Sequence, residues 1–442
     1  MSRTTLLAAA ALLGVAAPAH AQTQVDLDID VDVDVGDPLV MAGSPQVTYI
    51  KIGLTGFALQ GQVKRPPVNL VVVIDRSASM SGDRMEKAKE AALMVVDRLQ
   101  RDDTISVVTF DSIAEVIVPA QRADERDHIK ARIAALTPRG STALYAGIQN
   151  GIREAGRFLD PNRVNRLILL SDGQANIGPS SASELGTLGS AAAEQGITVT
   201  TIGLGLGYNE DLMVQLARMS DGNHAFAQTG DDLVKIFNHE LGDVMSAVAS
   251  DVEVIIDFAD GVIPVRSLDR EAKLDGRRAK VNLSQLYARQ QKHVLFEVKM
   301  PAGAANTARD VAAVNVNYRN LVTRKPARAA GRAKINYTAS QAAVDKARNK
   351  AVLVAAVEAI AAEKNRQAMA LRDQGNIAAA RAAFQDNAYY LRESGKKLKA
   401  RKLEQSAAKP AAAAGSVDKA EWGQARKDIA EDAYATENQR SW

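Results

Sequence analysis

Apolar runs along this chain come in two patterns, unbroken and strictly alternating, and helical stripes separate the unbroken ones. Leu70 to Ile74 places five apolar residues in a row, the pattern of a strand buried on both faces of a parallel sheet. Arg166 to Leu170 (RLILL) reads as a second buried strand, and Thr104–Phe110, Ala114–Val118, Ile197–Ile202 and His224–Ala227 read as further strands. The helix after Leu70–Ile74 has Asp83 and Glu86 as a capping box and a stripe of Met85, Ala88, Ala92, Val95, Val96 and Leu99. Helices follow at Asp124–Leu136, Thr142–Phe158, Ala182–Gln195, Asn209–Met219 and Asp231–Val248. Such alternation over residues 66–248 predicts an α/β fold: a doubly wound, mostly parallel sheet with right-handed crossovers.

The period changes at residue 251. Asp251–Phe258, Lys280–Leu283, His293–Met300, Arg309–Tyr318 and Lys334–Tyr337 alternate apolar with polar, as antiparallel strands do. They predict an antiparallel β-sandwich over 249–338. Gln46–Leu59, within the segment 46–65, is strand-like as well, so the α/β unit can be an insertion into a sandwich built from both flanks. Residues 339–404 are rich in alanine and predict a helical hairpin; Gly375, Ile377, Ala380 and Phe384 are spaced as in the second half of a tetratricopeptide unit. Lys409–Gly415 reads as a flexible linker inside a mobile tail, 405–442. Val25–Val35 alternates valine, leucine or isoleucine with aspartate; one face of such a strand would line up carboxylates about 7 Å apart. Their repulsion favours a solvated acidic linker over 22–45, with a calcium-binding or partner-binding arm as the alternative.

Composition narrows the class. The hydrophobic fraction of 46% and charged fraction of 24% are those of a globular chain. Arg3, the apolar run Leu6–Ala17 and Ala19-His20-Ala21 have the form of a cleaved signal peptide over residues 1–21. The expectation is an exported, periplasmic or secreted protein that begins at Gln22. The chain has no cysteine, which rules out disulfides, thiolate metal sites and a cysteine nucleophile. No later run reaches the length of a transmembrane span. Residues 261–335 hold sixteen Lys and Arg against five Asp and Glu, a charge that can attract an anionic surface or simply be solvated; no nucleic-acid motif accompanies it.

The candidate chemistry sits where the first buried strand ends. Asp75, Ser77 and Ser79 occupy alternate positions, so in an extended segment one carboxylate and two hydroxyls converge. These are hard oxygen donors, suited to Mg2+, Mn2+ or Ca2+. Thr142 opens a helix after Arg139-Gly140-Ser141, and Asp172-Gly173 follows the second buried strand. In such sheets ligands bind beyond the carboxyl ends of strands. The glycines at 203, 205 and 207 fall short of a dinucleotide fingerprint, since Tyr208 and Glu210 stand where a third glycine is needed. His128, His224, His239 and His293 lack zinc spacing, and Asp111 reads as a turn carboxylate.

Asp75-x-Ser77-x-Ser79, Thr142 and Asp172-Gly173, in that order, resemble the metal-ion-dependent adhesion site of von Willebrand factor type A domains, over residues 66–248. Thr201–Gly205 and Gly222 are similar to the family's last two strands, and Gly140-Ser141-Thr142 replaces its usual Gly-Gly-Thr. The flanking β region is more loosely similar to bacterial relatives of inter-α-trypsin inhibitor heavy chains. The resemblance implies that Ser77, Ser79 and Thr142 contact a divalent cation, Mg2+ foremost. Asp75 and Asp172 would act through bound waters or as charge partners, and a protein ligand would complete the coordination with an Asp or Glu. With the signal-like N-terminus, the expected function is metal-dependent binding of a protein ligand in the cell envelope. A metal hydrolase is disfavoured because no general base or nucleophile accompanies the site, and the alternative is a structural scaffold whose loops the cation only stabilises.

Overall fold

Residues 27–59, 63–172 and 175–439 are described by the computed structural model of the chain. The expected signal peptide with its cleavage point, Gly173, and residues 440–442 lie outside the described residues.

Three strands come first: β1 (Asp30–Val35), β2 (Leu39–Met41) and β3 (Gln46–Thr55). The α/β unit then runs β4 (Val68–Asp75), α1 (Asp83–Arg98), β5 (Thr104–Phe110), β6 (Ala114–Arg122), α2 (Arg126–Ala134), α3 (Leu144–Gly156) and β7 (Val164–Ser171). It continues through α4 (Ala182–Glu194), β8 (Thr198–Leu204), α5 (Glu210–Met219), β9 (His224–Ala227) and α6 (Gly230–Ser246). Its six-stranded sheet has the order β6-β5-β4-β7-β8-β9, parallel except for the antiparallel edge strand β6. Every residue of β4 and β7 is buried, because helices cover both faces of the sheet. Val72, Ile74 and Leu170 face α1 and α6, while Val71, Val73 and Leu167 face α3 and α4.

The sandwich strands are β10 (Ala247–Phe258), β11 (Ile263–Ser267), β12 (Lys273–Asp275), β13 (Arg278–Tyr287), β14 (Gln291–Met300), β15 (Ala308–Asn320) and β16 (Lys325–Thr338). One sheet has the order β1-β3-β14-β11, the other β12-β13-β10-β15-β16-β2. Strand β3 pairs antiparallel with β14 along its whole length, Gln46 opposite Met300 and Thr55 opposite Gln291. The α/β unit is thus inserted between β3 and β10, and α6 runs into β10 without a spacer. Fully buried Arg166 on β7 crosses this junction. It donates to Thr200 (3.0 Å), to Glu240 on α6 (3.1 Å), and to Gln285 (2.8 Å) and Tyr287 on β13.

The C-terminal helices are α7 (Gln341–Ala347), α8 (Lys350–Asp373), α9 (Ile377–Leu398), α10 (Arg401–Ser406), α11 (Ala408–Ser416) and α12 (Trp422–Glu437). α8 and α9 form the expected hairpin, with Phe384 buried and Val352, Ala356 and Ala359 packed on Leu268 and Leu295 of the sandwich.

Three expectations are corrected. The segment assigned to an acidic linker contains β1, which pairs with β3 and turns Asp30, Asp32 and Asp34 to water and Val31 and Val33 inward onto Gly331. Carboxylates that face solvent are screened, so the burial of the alternate residues prevails. The tail after residue 405 is helical, not mobile: alanine is the best helix former, and Pro410 falls in the first turn of α11, where its missing amide costs nothing. The capping box at Asp83 does not form; Gly82 is the N-cap at φ 80°, and Asp83 and Glu86 instead place negative charge in the first turn of α1.

Candidate metal centre

Four of the five expected residues meet in one hydrogen-bonded chain at the carboxyl ends of β4 and β7. Asp75 closes β4; its Oδ1 accepts from the Ser77 amide (2.8 Å) and its Oδ2 from the Ser171 hydroxyl (2.6 Å). The Ser77 and Ser79 hydroxyl oxygens lie 3.0 Å apart in a shared hydrogen bond, and Ser79 Oγ donates to Asp172 Oδ1 at 2.7 Å. A single 310 turn, Ala78–Met80, curls the segment so that these side chains converge.

Thr142 stands on the neighbouring loop and its hydroxyl makes no hydrogen bond to the other four. The loop is nonetheless fixed to them. The Ala78 amide donates to the Gly140 carbonyl (3.1 Å), and the Arg139 amide to the Arg76 carbonyl (2.7 Å). Asn176 Oδ1 accepts from the Thr142 amide (2.8 Å), and the Asn176 amide donates back to the Thr142 carbonyl (3.2 Å). Gly140 has φ +69°, and a side chain there would meet Ser112 Oγ at 2.8 Å, so glycine is needed at this position. Ser141 points to solvent, which is why a serine can stand where the family has its second glycine.

Residues outside the motif hold it in place. Arg84, in the first turn of α1, donates to Asp172 Oδ2 and to the Ser79 carbonyl (3.3 Å). Asp111 accepts from Arg76 Nε (2.9 Å), Arg139 Nε (2.8 Å) and the Ile113 amide (3.1 Å). Burial would raise its carboxyl, but Arg139, the Ile113 amide and Arg76 together hold it below the usual carboxylate range. The turn role read from the sequence for Asp111 is therefore joined by a second one, as an anchor for two guanidinium groups. The sequence offered the pieces, Arg76 inside the motif and Arg139 beside Gly140, but only the fold shows that Arg76 is buried and so calls for an acid. Arg84, Ser171 and Asn176 carry no signal of their own, because their partners come from distant segments.

The donor set fits a hard divalent cation. Asp75 is fully buried, and among the described residues no Lys, Arg or His pairs with it. Burial pushes its carboxyl up to about 6 against the pull of the Ser171 and Ser77 hydrogen bonds, and nearby Asp172 raises it further. Two carboxylates and a set of hydroxyls so arranged have negative charge to be matched, and oxygen is the only donor type they offer. Among the described residues no group of three His, Cys, Asp or Glu side chains gathers. This site is built mainly on hydroxyls instead. The other histidine and glycine signals resolve as packing: His224 Nδ1 lies 2.9 Å from Thr201 Oγ1, and a side chain at Gly203 would strike the Tyr208 ring at 2.4 Å.

Comparison with known proteins agrees with this geometry. Residues 69–239 match the family model for the von Willebrand factor type A domain. The uncharacterized protein YfbK of Escherichia coli K12 is 30% identical over 195 residues, 44% of this chain and 34% of YfbK. Human inter-alpha-trypsin inhibitor heavy chain H2 is 29% identical over 188 residues, 39% of this chain and 20% of its own. This chain therefore spans about a third of the first relative's length and a fifth of the second's. A solved von Willebrand factor type A protein from Catenulispora acidiphila superposes with a TM-score of 0.68 at 16% identity, over 86% of this chain and 90% of that one, so the fold of nearly the whole chain recurs there. The motif, the sheet and these matches agree: residues 69–239 of this chain match the von Willebrand factor type A domain in sequence pattern and in fold.

Proposed function

We propose that this is a metal-dependent protein-binding protein of the cell envelope, working in adhesion or complex assembly and reaching the periplasm or exterior by export. Asp75, Ser77, Ser79, Thr142 and Asp172 hold the cation, Mg2+ foremost with Mn2+ or Ca2+ as alternatives, and the partner contributes an Asp or Glu. The observation that carries this reading is fully buried Asp75, linked through Ser77 and Ser79 to Asp172, with no cationic side chain against it among the described residues. A bound divalent cation supplies an open coordination position for a carboxylate. The chain's own residues do the rest. Ser171 and the Ser77 amide orient Asp75, Asn176 fixes Thr142, and Arg84 steadies Asp172. Two negative charges match a divalent ion only barely, so affinity for the free cation is modest until the partner's carboxylate arrives.

Binding, not turnover, is the proposed role, since Ser77 and Ser79 are engaged with one another and with Asp172, and among the described residues no histidine is hydrogen-bonded to them. What supports the envelope is the signal-like run of Arg3, Leu6–Ala17 and Ala19-His20-Ala21. The scaffold reading also has an observation in its favour, because the Arg84 guanidinium joins Asp172 directly to α1. The two are separated by capturing envelope proteins on the full chain in Mg2+. Metal-dependent binding requires proteins that a chelator releases and that Asp75→Ala fails to retain. Capture unchanged by chelator and by Asp75→Ala would leave the scaffold.

A further inference from the structure

Nine large apolar side chains are exposed among the described residues, and three of them stand on the three loops that border the candidate metal centre. Ile113 is 61% exposed, Ile177 37% and Leu206 55%. The backbone ties each to a residue of the centre. Ile113 sits in the β5–β6 turn, next to Ser112, whose Oγ accepts from the amide of Ser141, the neighbour of Thr142 (3.0 Å). The Ile177 amide donates to the Thr142 carbonyl (3.4 Å). Leu206 lies between Gly205 and Gly207; a side chain at the first would meet Arg84 Nη2 at 3.0 Å, and at the second the Asp172 carbonyl at 3.2 Å. Backbone ties thus hold three aliphatic side chains in water beside the centre, two next to the Thr142 loop and one next to Arg84 and Asp172.

Single exposed aliphatics need no explanation, but a rim of them around a charged centre is the composition of a recognition surface. Charge fixes what belongs in the middle. Asp75 and Asp172 match the two charges of a divalent ion, and Arg84 on Asp172 leaves one positive charge over, which one carboxylate neutralises. Resting on the metal-dependent reading above, we propose that the partner is a protein segment presenting a single Asp or Glu flanked on both sides by bulky apolar side chains. The acid would enter the centre and its neighbours would cover Ile113, Ile177 and Leu206. A merely acidic segment would leave the rim wet and gain little from it, since each aliphatic contact contributes through the apolar area it removes from water.

The test selects a phage-displayed random heptapeptide library on the full chain in Mg2+, eluting with chelator. The expected winners carry one Asp or Glu between Leu, Ile, Val or Phe. For a winning peptide, Ile113→Ser and Leu206→Ser should each weaken binding about 5- to 10-fold, the scale of a lost aliphatic contact. The triple variant with Ile177→Ser should bind about 100-fold more weakly or worse, while its calorimetric affinity for Mg2+ alone stays that of the wild type. Acidic winners without apolar neighbours, or rim variants that bind as tightly as wild type, would overturn the rim and leave the metal-dependent reading standing. An absence of chelator-eluted winners would overturn both.

Discussion

Asp75 is costly to the fold and central to the site for the same reason. Its ionised form is buried, with hydrogen-bond donors but no cationic side chain against it among the described residues, and burial lifts its carboxyl to about 6 from the 3.8 of a free side chain. Between those two values the folded protein keeps a proton that the unfolded chain releases. Its stabilising contribution is therefore greatest in acid and falls as the pH rises through 6, by roughly 3 kcal/mol at neutrality. Asp75→Asn is neutral throughout and escapes this cost, while losing about 1 kcal/mol of hydrogen bonding. In chelator at pH 7 the variant should resist urea better than wild type, and at pH 4 worse. In Mg2+ at pH 7 the order should reverse, because only the wild type gains from the ion. Wild type the more stable in chelator at pH 7 would show that Asp75 is not held ionised against its environment. Ser141 is exposed to solvent and sits outside this balance.

Elements were legible in the sequence where one pattern served one purpose. The unbroken runs of β4 and β7 and the stripe of α1 are fixed by burial on known faces, so their positions followed from period alone. Asp75, Ser77 and Ser79 were legible as one local motif, and Asp172 as the end of a second buried strand, which the parallel β4–β7 pairing brings beside the first. What escaped was decided across the chain. Strand β1 forms because β3 and β16 are there to receive it, and Arg84 matters only because Asp172, 88 positions away, lies against it. The helix α12 escaped for the same reason: its anchors are on the α/β unit. Lys427 donates to the Tyr208 carbonyl (2.9 Å) and to Glu210 (2.6 Å), the Phe226 amide donates to Glu431 (3.1 Å), and Tyr434 Oη donates to the Gly222 carbonyl (2.8 Å). Tyr434 is almost wholly buried, with its ring edge-on to His224. Tyr434→Ala should lower stability by about 3–5 kcal/mol, the usual cost of emptying a buried aromatic site, measured by urea unfolding. A change below 1 kcal/mol would mean that α12 is only loosely seated.

At the scale of the whole molecule, inserted unit and sandwich share one buried polar network. Arg166 joins β7 to Glu240 of α6 and to Gln285 and Tyr287 of β13, and Asn223 supports Glu240 at 2.8 Å. Arg166→Met should cost about 3–5 kcal/mol, because it leaves Glu240 charged and dry, whereas the double change Arg166→Met, Glu240→Met should recover most of that loss. Calorimetry of the two variants decides it; a double variant no better than the single one would assign the loss to packing instead of charge. The insertion itself has a mechanical consequence. The unit that carries the candidate centre is fastened to the sandwich at two places, the end of β3 and the start of β10. These are inner strands of different sheets, each held between two neighbours, β3 by β1 and β14, β10 by β13 and β15. A pull on a captured partner would reach the sandwich through both attachments at once, and drawing either strand out lengthwise would require its ladders to slip together instead of opening bond by bond. The architecture that hides the unit's two ends in the middle of the sandwich is also one suited to carrying load.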